Sequence, residues 1–123
     1  MSEKPLAERL QVKGGRRLAI VGATDGMEAL IGVSDARTAA PEADVVLLFV
    51  ENRATLEAEL LALLPQMRPD SILWIAYLKL SSERSGDLNR DVIRALAPAH
   101  GLDTVSQIAI DRDWSALRMK RLI

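Results

Sequence analysis

Apolar residues fall along the chain in short runs of two different periodicities. Residues 18–22 (Leu-Ala-Ile-Val-Gly), 45–50 (Val-Val-Leu-Leu-Phe-Val) and 72–77 (Ile-Leu-Trp-Ile-Ala-Tyr) are apolar at successive positions. Each predicts a strand covered on both faces, as in a parallel sheet. Between them the spacing turns helical. Leu56, Leu60, Leu63 and Leu64 share one side of a helix predicted over 53–64, capped by Asn52 and closed by Pro65 and Pro69. Leu88, Val92, Ile93 and Leu96 predict a second helix, capped by Asp87 and ended by Pro98 and Gly101. Nearer the start, Leu6 and Leu10 share a face of a short helical turn that opens at Pro5 and breaks at Gly14-Gly15. Thr24 or Asp25 can cap a short helix through Leu30, and residues 33–36 are a candidate edge strand.

The end of the chain differs in kind. Residues 104–110 and 116–122 are strand-like runs whose short connection, 111–115, makes an antiparallel hairpin and not a crossover. The predicted fold is therefore α/β: three-layer and Rossmann-like, a mostly parallel sheet with a C-terminal antiparallel hairpin. The helices over 53–64 and 87–97 are expected on opposite faces or flanks of that sheet.

Composition narrows the picture. A chain of 123 residues is expected to form one domain, 1–123. It is long enough to fold without a disulfide or metal. The absence of cysteine removes thiol catalysis and thiolate metal sites, and fits a reducing compartment. A net charge of −1 steers the chain toward neither nucleic acid nor an anionic membrane. The aromatic set is Phe49, Trp74, Tyr77 and Trp114. Those are too few for a base-stacking platform. The first residues lack the apolar core of a signal peptide, and no apolar run approaches the ~20 residues of a membrane helix. The expectation is a cytoplasmic protein with no nucleic-acid or membrane partner.

Candidate chemistry is sparse. The loop Gly22-Ala23-Thr24-Asp25-Gly26 follows the first strand and precedes a helix, where small residues let a ligand approach the backbone. Its spacing matches neither G-x-G-x-x-G nor the phosphate-binding loop, and a plain turn explains it equally. Lys79, with Ser81 and Ser82, follows the third strand and is expected, together with the residues after Val50, on the same rim, where it favours a carboxylate or phosphate over a cation; the plain alternative is a solvated lysine. Gly22, Ala23, Thr24, Asp25, Gly26 and Lys79 are thus the candidate ligand-binding residues. Asp35, and less well Glu42, could hold a ribose hydroxyl at the end of a second strand. Asp111 and Asp113 read as turn acids, with Trp114 packed over the sheet edge, because a hairpin supplies too few oxygens for calcium. His100 is the only histidine, so neither a zinc site nor a Ser–His–acid triad has enough parts, and no catalytic or metal residue is assigned.

Four segments carry a resemblance. They are Pro5-Leu6-Ala7-Glu8-Arg9-Leu10 with Lys13-Gly14-Gly15-Arg16-Arg17; Ala43-Asp44-Val45-Val46-Leu47-Leu48-Phe49-Val50; Leu73-Trp74-Ile75-Ala76-Tyr77-Leu78-Lys79; and Ala109-Ile110-Asp111-Arg112-Asp113-Trp114-Ser115-Ala116-Leu117-Arg118. Together they resemble a small bacterial family, domain of unknown function 3052. The resemblance implies a bacterial source and no activity, and Leu78 stands where that family has proline. The order of elements is also similar, at fold level, to a shortened class I methyltransferase domain that binds S-adenosylmethionine at the carboxyl ends of its first strands. The reading taken from the residues is a non-catalytic domain that binds a protein partner, a second copy or a small ligand, with no cofactor. The alternative is a reduced methyltransferase-like or nucleotide-binding enzyme using S-adenosylmethionine or a nucleotide.

Overall fold

The computed structural model describes residues 6–12, 14–23, 26–27, 31, 36–80, 82 and 86–122. Strands β1 (Leu18–Val21), β2 (Val45–Phe49), β3 (Ile72–Leu78), β4 (Leu102–Ala109) and β5 (Trp114–Arg121) form one sheet in the order β1-β2-β3-β5-β4. Among the described residues, the helices with bounds are α1 (Leu6–Arg9), α2 (Arg53–Leu63) and α3 (Arg90–Leu96). None is long and apolar enough to cross a membrane.

The three apolar runs pair in parallel, Ile20 opposite Leu47 and Leu47 opposite Trp74. The expectation of a mostly parallel sheet needs correction. The hairpin docks through its second strand, so β5 runs antiparallel to β3 on one side and to β4 on the other. Those two ladders carry the longer registers, and the sheet is mixed. Arg37 makes an isolated parallel bridge to Leu18, on the edge of β1 away from β2. Residues 33–35 of the candidate edge strand lie outside the described residues.

The helix placement is also corrected. Leu56, Leu60 and Leu63 of α2 and Ile93 of α3 pack into the same core layer, with Val46, Leu48, Ile75 and Leu117. Both helices therefore lie on one face. The strand order explains this, because β2-to-β3 and β3-to-β4 advance across the sheet in one direction. Right-handed crossovers in one direction stay on one side. The other face buries Leu47, Phe49, Trp74 and Trp114 beneath Leu10, Val12, Met27 and Ile31. The Trp74 indole N–H donates to the Leu10 carbonyl at 2.9 Å, which pins the segment after α1 over that layer and satisfies a buried polar atom. From β1 the chain thus moves outward to Arg37 and then back across to β2. That reversal is the point in an α/β sheet where a crevice opens beyond the carboxyl ends of the strands.

Candidate functional site

The cleft at that reversal has a volume of about 570 Å³. Gly22 begins it, with φ of +79°, and a β-carbon there would stand 2.6 Å from the Phe49 carbonyl oxygen. Only glycine fits where the ends of β1 and β2 come this close. Beyond β2 the chain enters α2 through Glu51 and Asn52. The Asn52 side chain accepts from the Thr55 N–H at 2.8 Å, the predicted cap. Asn52, Thr55 and Glu59, spaced three and four residues apart, share a helix face toward the cleft.

The opposite wall is the hairpin turn. Asp111 Oδ1 accepts from the N–H groups of Asp113 at 2.9 Å and Trp114 at 2.8 Å. This Asx-type turn fits the turn-acid reading of the sequence. Trp114 packs edge-on against Phe49, ring centres 5.0 Å apart at 73°, and the pair forms an apolar floor.

The candidate residues separate. Gly22 and Gly26 line this cleft. Ala23 packs on the core layer that holds Trp74. Thr24 and Asp25 lie outside the described residues, as does Asp35. Glu42 sits in a short 3₁₀ turn before the amino end of β2, away from the rim, and accepts from the Thr38 hydroxyl at 3.3 Å. Lys79 is held elsewhere: its N–H donates to the Asp113 carbonyl at 2.7 Å and its ammonium to the Asp111 carbonyl at 2.6 Å. It lines a second cleft with Tyr77 and Arg90. Burial pushes the Tyr77 phenol above its ordinary range, with Arg90 opposing. Asp87 does not cap α3. Asn89 does, accepting from the Val92 N–H at 3.0 Å, while Asp87 accepts from the Arg53 N–H at the start of α2, also at 3.0 Å.

The charge of the rim reverses the expectation of an anionic ligand. Glu51, Glu59, Asp111 and Asp113 line the cleft, and no lysine or arginine does among the described residues. The sequence reading put the residues after Val50 on the rim without singling out Glu51, and it missed Glu59. Glu51 was detectable as the first polar residue after the strongest strand; Glu59 reads as an ordinary exposed helix position until α2 is placed beside the rim. Among the described residues, no three histidine or acidic side chains gather to hold a metal ion.

No family model and no curated protein matches the chain, so the resemblance to the uncharacterised bacterial family gains no support there. Solved structures do share its fold. A mitomycin 7-O-methyltransferase superposes with a TM-score of 0.63 at 14% identity, over 87% of this chain and 49% of its own. The ribosomal protein L11 methylase of Lactobacillus delbrueckii subsp. bulgaricus gives 0.56 at 14% identity, over 94% of this chain and 74% of that one. The structure of LepI in complex with SAM gives 0.54 at 14% identity, over 94% of this chain and 39% of that one. The chain therefore spans about half of the first of these proteins and less of the third. At this identity the likeness shows an α/β, Rossmann-like fold shared with methyltransferases. It overturns the expectation of no cofactor, since several neighbours of this fold are methyltransferases and another neighbour, LepI, was solved with SAM. Nothing in it favours the non-catalytic binding domain over the methyltransferase-like alternative.

Proposed function

We propose that the chain is a reduced methyltransferase-like domain that binds S-adenosylmethionine in the acidic rim cleft. The observation carrying this reading is a cleft at the strand-order reversal whose described charged lining is entirely carboxylate. S-adenosylmethionine presents an ammonium, a sulfonium and ribose hydroxyls. Carboxylates attract the first two and accept hydrogen bonds from the third. A nucleotide fits worse, because its phosphates would face Glu51, Glu59, Asp111 and Asp113, and among the described residues no lysine or arginine lines the cleft. The volume suits a ligand of this size.

The bound cofactor would supply an electrophilic methyl group on sulfur. The chain's own part is to bind and orient. Glu59 and Asp113 face the cationic groups, Asn52 and Thr55 offer polar contacts, and Phe49 with Trp114 keeps one wall dry. No nucleophile–base pair is needed when the acceptor is itself nucleophilic, since orientation alone lowers the barrier. A partner chain or a second copy completing the acceptor side belongs to the same reading.

The test is thermal denaturation with S-adenosylmethionine, S-adenosylhomocysteine and ATP at matched concentrations. Both S-adenosyl compounds should raise the melting temperature, corresponding to about 2.7 kcal/mol at a hundredfold excess over Kd. ATP should not occupy the rim: added in excess, it should leave the S-adenosylhomocysteine shift undiminished. Loss of that shift when ATP is added would return the nucleotide alternative.

A further inference from the structure

The Lys79 bonds to Asp111 and Asp113 form a strut at the hairpin, and a second cleft of about 390 Å³ lies beside it. Its floor is polar and buried: Tyr77 is 4% exposed and Ser115 3%. Arg90 and Gln107 line its wall, and the same two residues line an adjoining hollow of about 240 Å³ with Arg94, Thr104 and Ser106. The two hollows form one groove between α3 and β4.

Arg90 and Arg94 stand one turn apart on the same helix face. Arg90 reaches Gln107 Oε1 only at 3.4 Å and the exposed Asp91 only at 3.9 Å. Arg94 makes no ion pair or hydrogen bond among the described residues. Opposite them, β4 is the edge of the sheet, and its register breaks between Thr104 and Ser106. Such a bulge re-aims side chains that a regular strand would alternate. It brings Thr104, Ser106 and Gln107 to the same hollow.

We infer that this groove binds a small phosphorylated molecule, its phosphate held between Arg90 and Arg94 with the Thr104 and Ser106 hydroxyls as further donors. Planar guanidinium donors match the oxygens of a phosphate, and two flexible cations converging on hydroxyls make an anion site. A nucleic-acid strand fits less well. The chain has a net charge of −1, and Phe49, Trp74, Tyr77 and Trp114 are all buried, leaving no exposed phenyl, phenol or indole ring on which a base can stack. The site stands on α3 and β4 and does not depend on what fills the rim cleft.

The test titrates inorganic phosphate and pyrophosphate into the full, isotope-labelled chain at constant ionic strength. Saturable shifts are expected at the Nε–Hε signals of Arg90 and Arg94 and the amides of residues 104–107. Arg94 is exposed, so R94Q should fold, and it should weaken pyrophosphate about tenfold while R112Q changes little. Non-saturating shifts shared equally by Arg118 and Lys120, or equal losses in R94Q and R112Q, would overturn the site. A single-stranded oligoribonucleotide binding more tightly than pyrophosphate would overturn the ligand class. S-adenosylhomocysteine binding to R94Q should match the parent. Failure of the cofactor reading is thereby separable from failure of this one.

Discussion

Gly22 shows how one residue can carry a ligand loop and a packing constraint at once. The sequence marks it as a small residue after a strand, and both a ligand and a plain turn ask for that. The structure gives the constraint: a positive φ and a carbonyl oxygen 2.6 Å from where a β-carbon would stand. Gly22→Ala should therefore cost at least about 1–3 kcal/mol, seen as a lower melting temperature with no ligand present. A variant of unchanged stability would show that the strand ends can part. Asp44 stands just before the 45–50 run, and local spacing assigns it no role because its partners are distant in sequence. It accepts from the Arg17 N–H at 2.9 Å and pairs with the Arg68 guanidinium. The Arg17 hydrogen bond first, and then Arg68, hold its carboxyl below the ordinary value. A depressed folded-state pKa contributes stability that is complete above the unfolded value of about 3.9 and is lost as pH falls through the folded one. Asp44→Asn should thus melt below the parent at neutral pH, and the gap should close under about pH 4. A gap independent of pH would assign the loss to packing.

At the scale of elements, periodicity was a good guide to existence and a poor one to placement. β2, β3 and α2 follow directly from successive and helical apolar spacing, and Asn52 caps α2 as its side-chain chemistry dictates. Asp87 and Asn89 both precede the next helix and both favour caps. Sequence alone could not show that Asn89 takes that role while Asp87 turns to the Arg53 N–H, 34 residues away. Asp87→Ala should accordingly weaken the start of α2, not α3, by about 1 kcal/mol. Amide hydrogen exchange would localise the loss, and faster exchange confined to α3 would contradict it. The side of the sheet each helix covers was equally hidden, because it depends on strand order, which local spacing does not encode. Strand centrality was legible. Leu48 lies in a strand paired on both edges and is fully buried. Leu48→Ala should cost on the order of 2–4 kcal/mol in urea denaturation.

For the molecule as a whole, the net charge of −1 conceals a separation that only folding creates. Glu51 follows β2, Glu59 stands on α2, Asp111 and Asp113 belong to the hairpin turn, and the sheet brings them to one rim. Arg90 and Arg94 go to the β4 groove. Of the residues the sequence grouped on one rim, Gly22 and Gly26 line the same cleft while Lys79, which looked free at a strand end, does not. Its bonds to the Asp111 and Asp113 carbonyls come from residues far along the chain. If the rim takes S-adenosylmethionine, its carboxylates should distinguish that molecule from S-adenosylhomocysteine, which keeps the ammonium but lacks the sulfonium charge. Glu59→Gln and Asp113→Asn each remove one negative charge from side chains only partly exposed, where screening is incomplete. Each should weaken S-adenosylmethionine by about threefold, the scale of one charge pair across a partly solvated cleft. The loss for S-adenosylhomocysteine should be smaller. Calorimetric titration of both ligands into both variants reads the ratio directly, and higher salt should narrow it in the parent as well. Equal losses for the two ligands would place the sulfonium away from these acids and leave Glu59 and Asp113 serving the ammonium or the ribose alone.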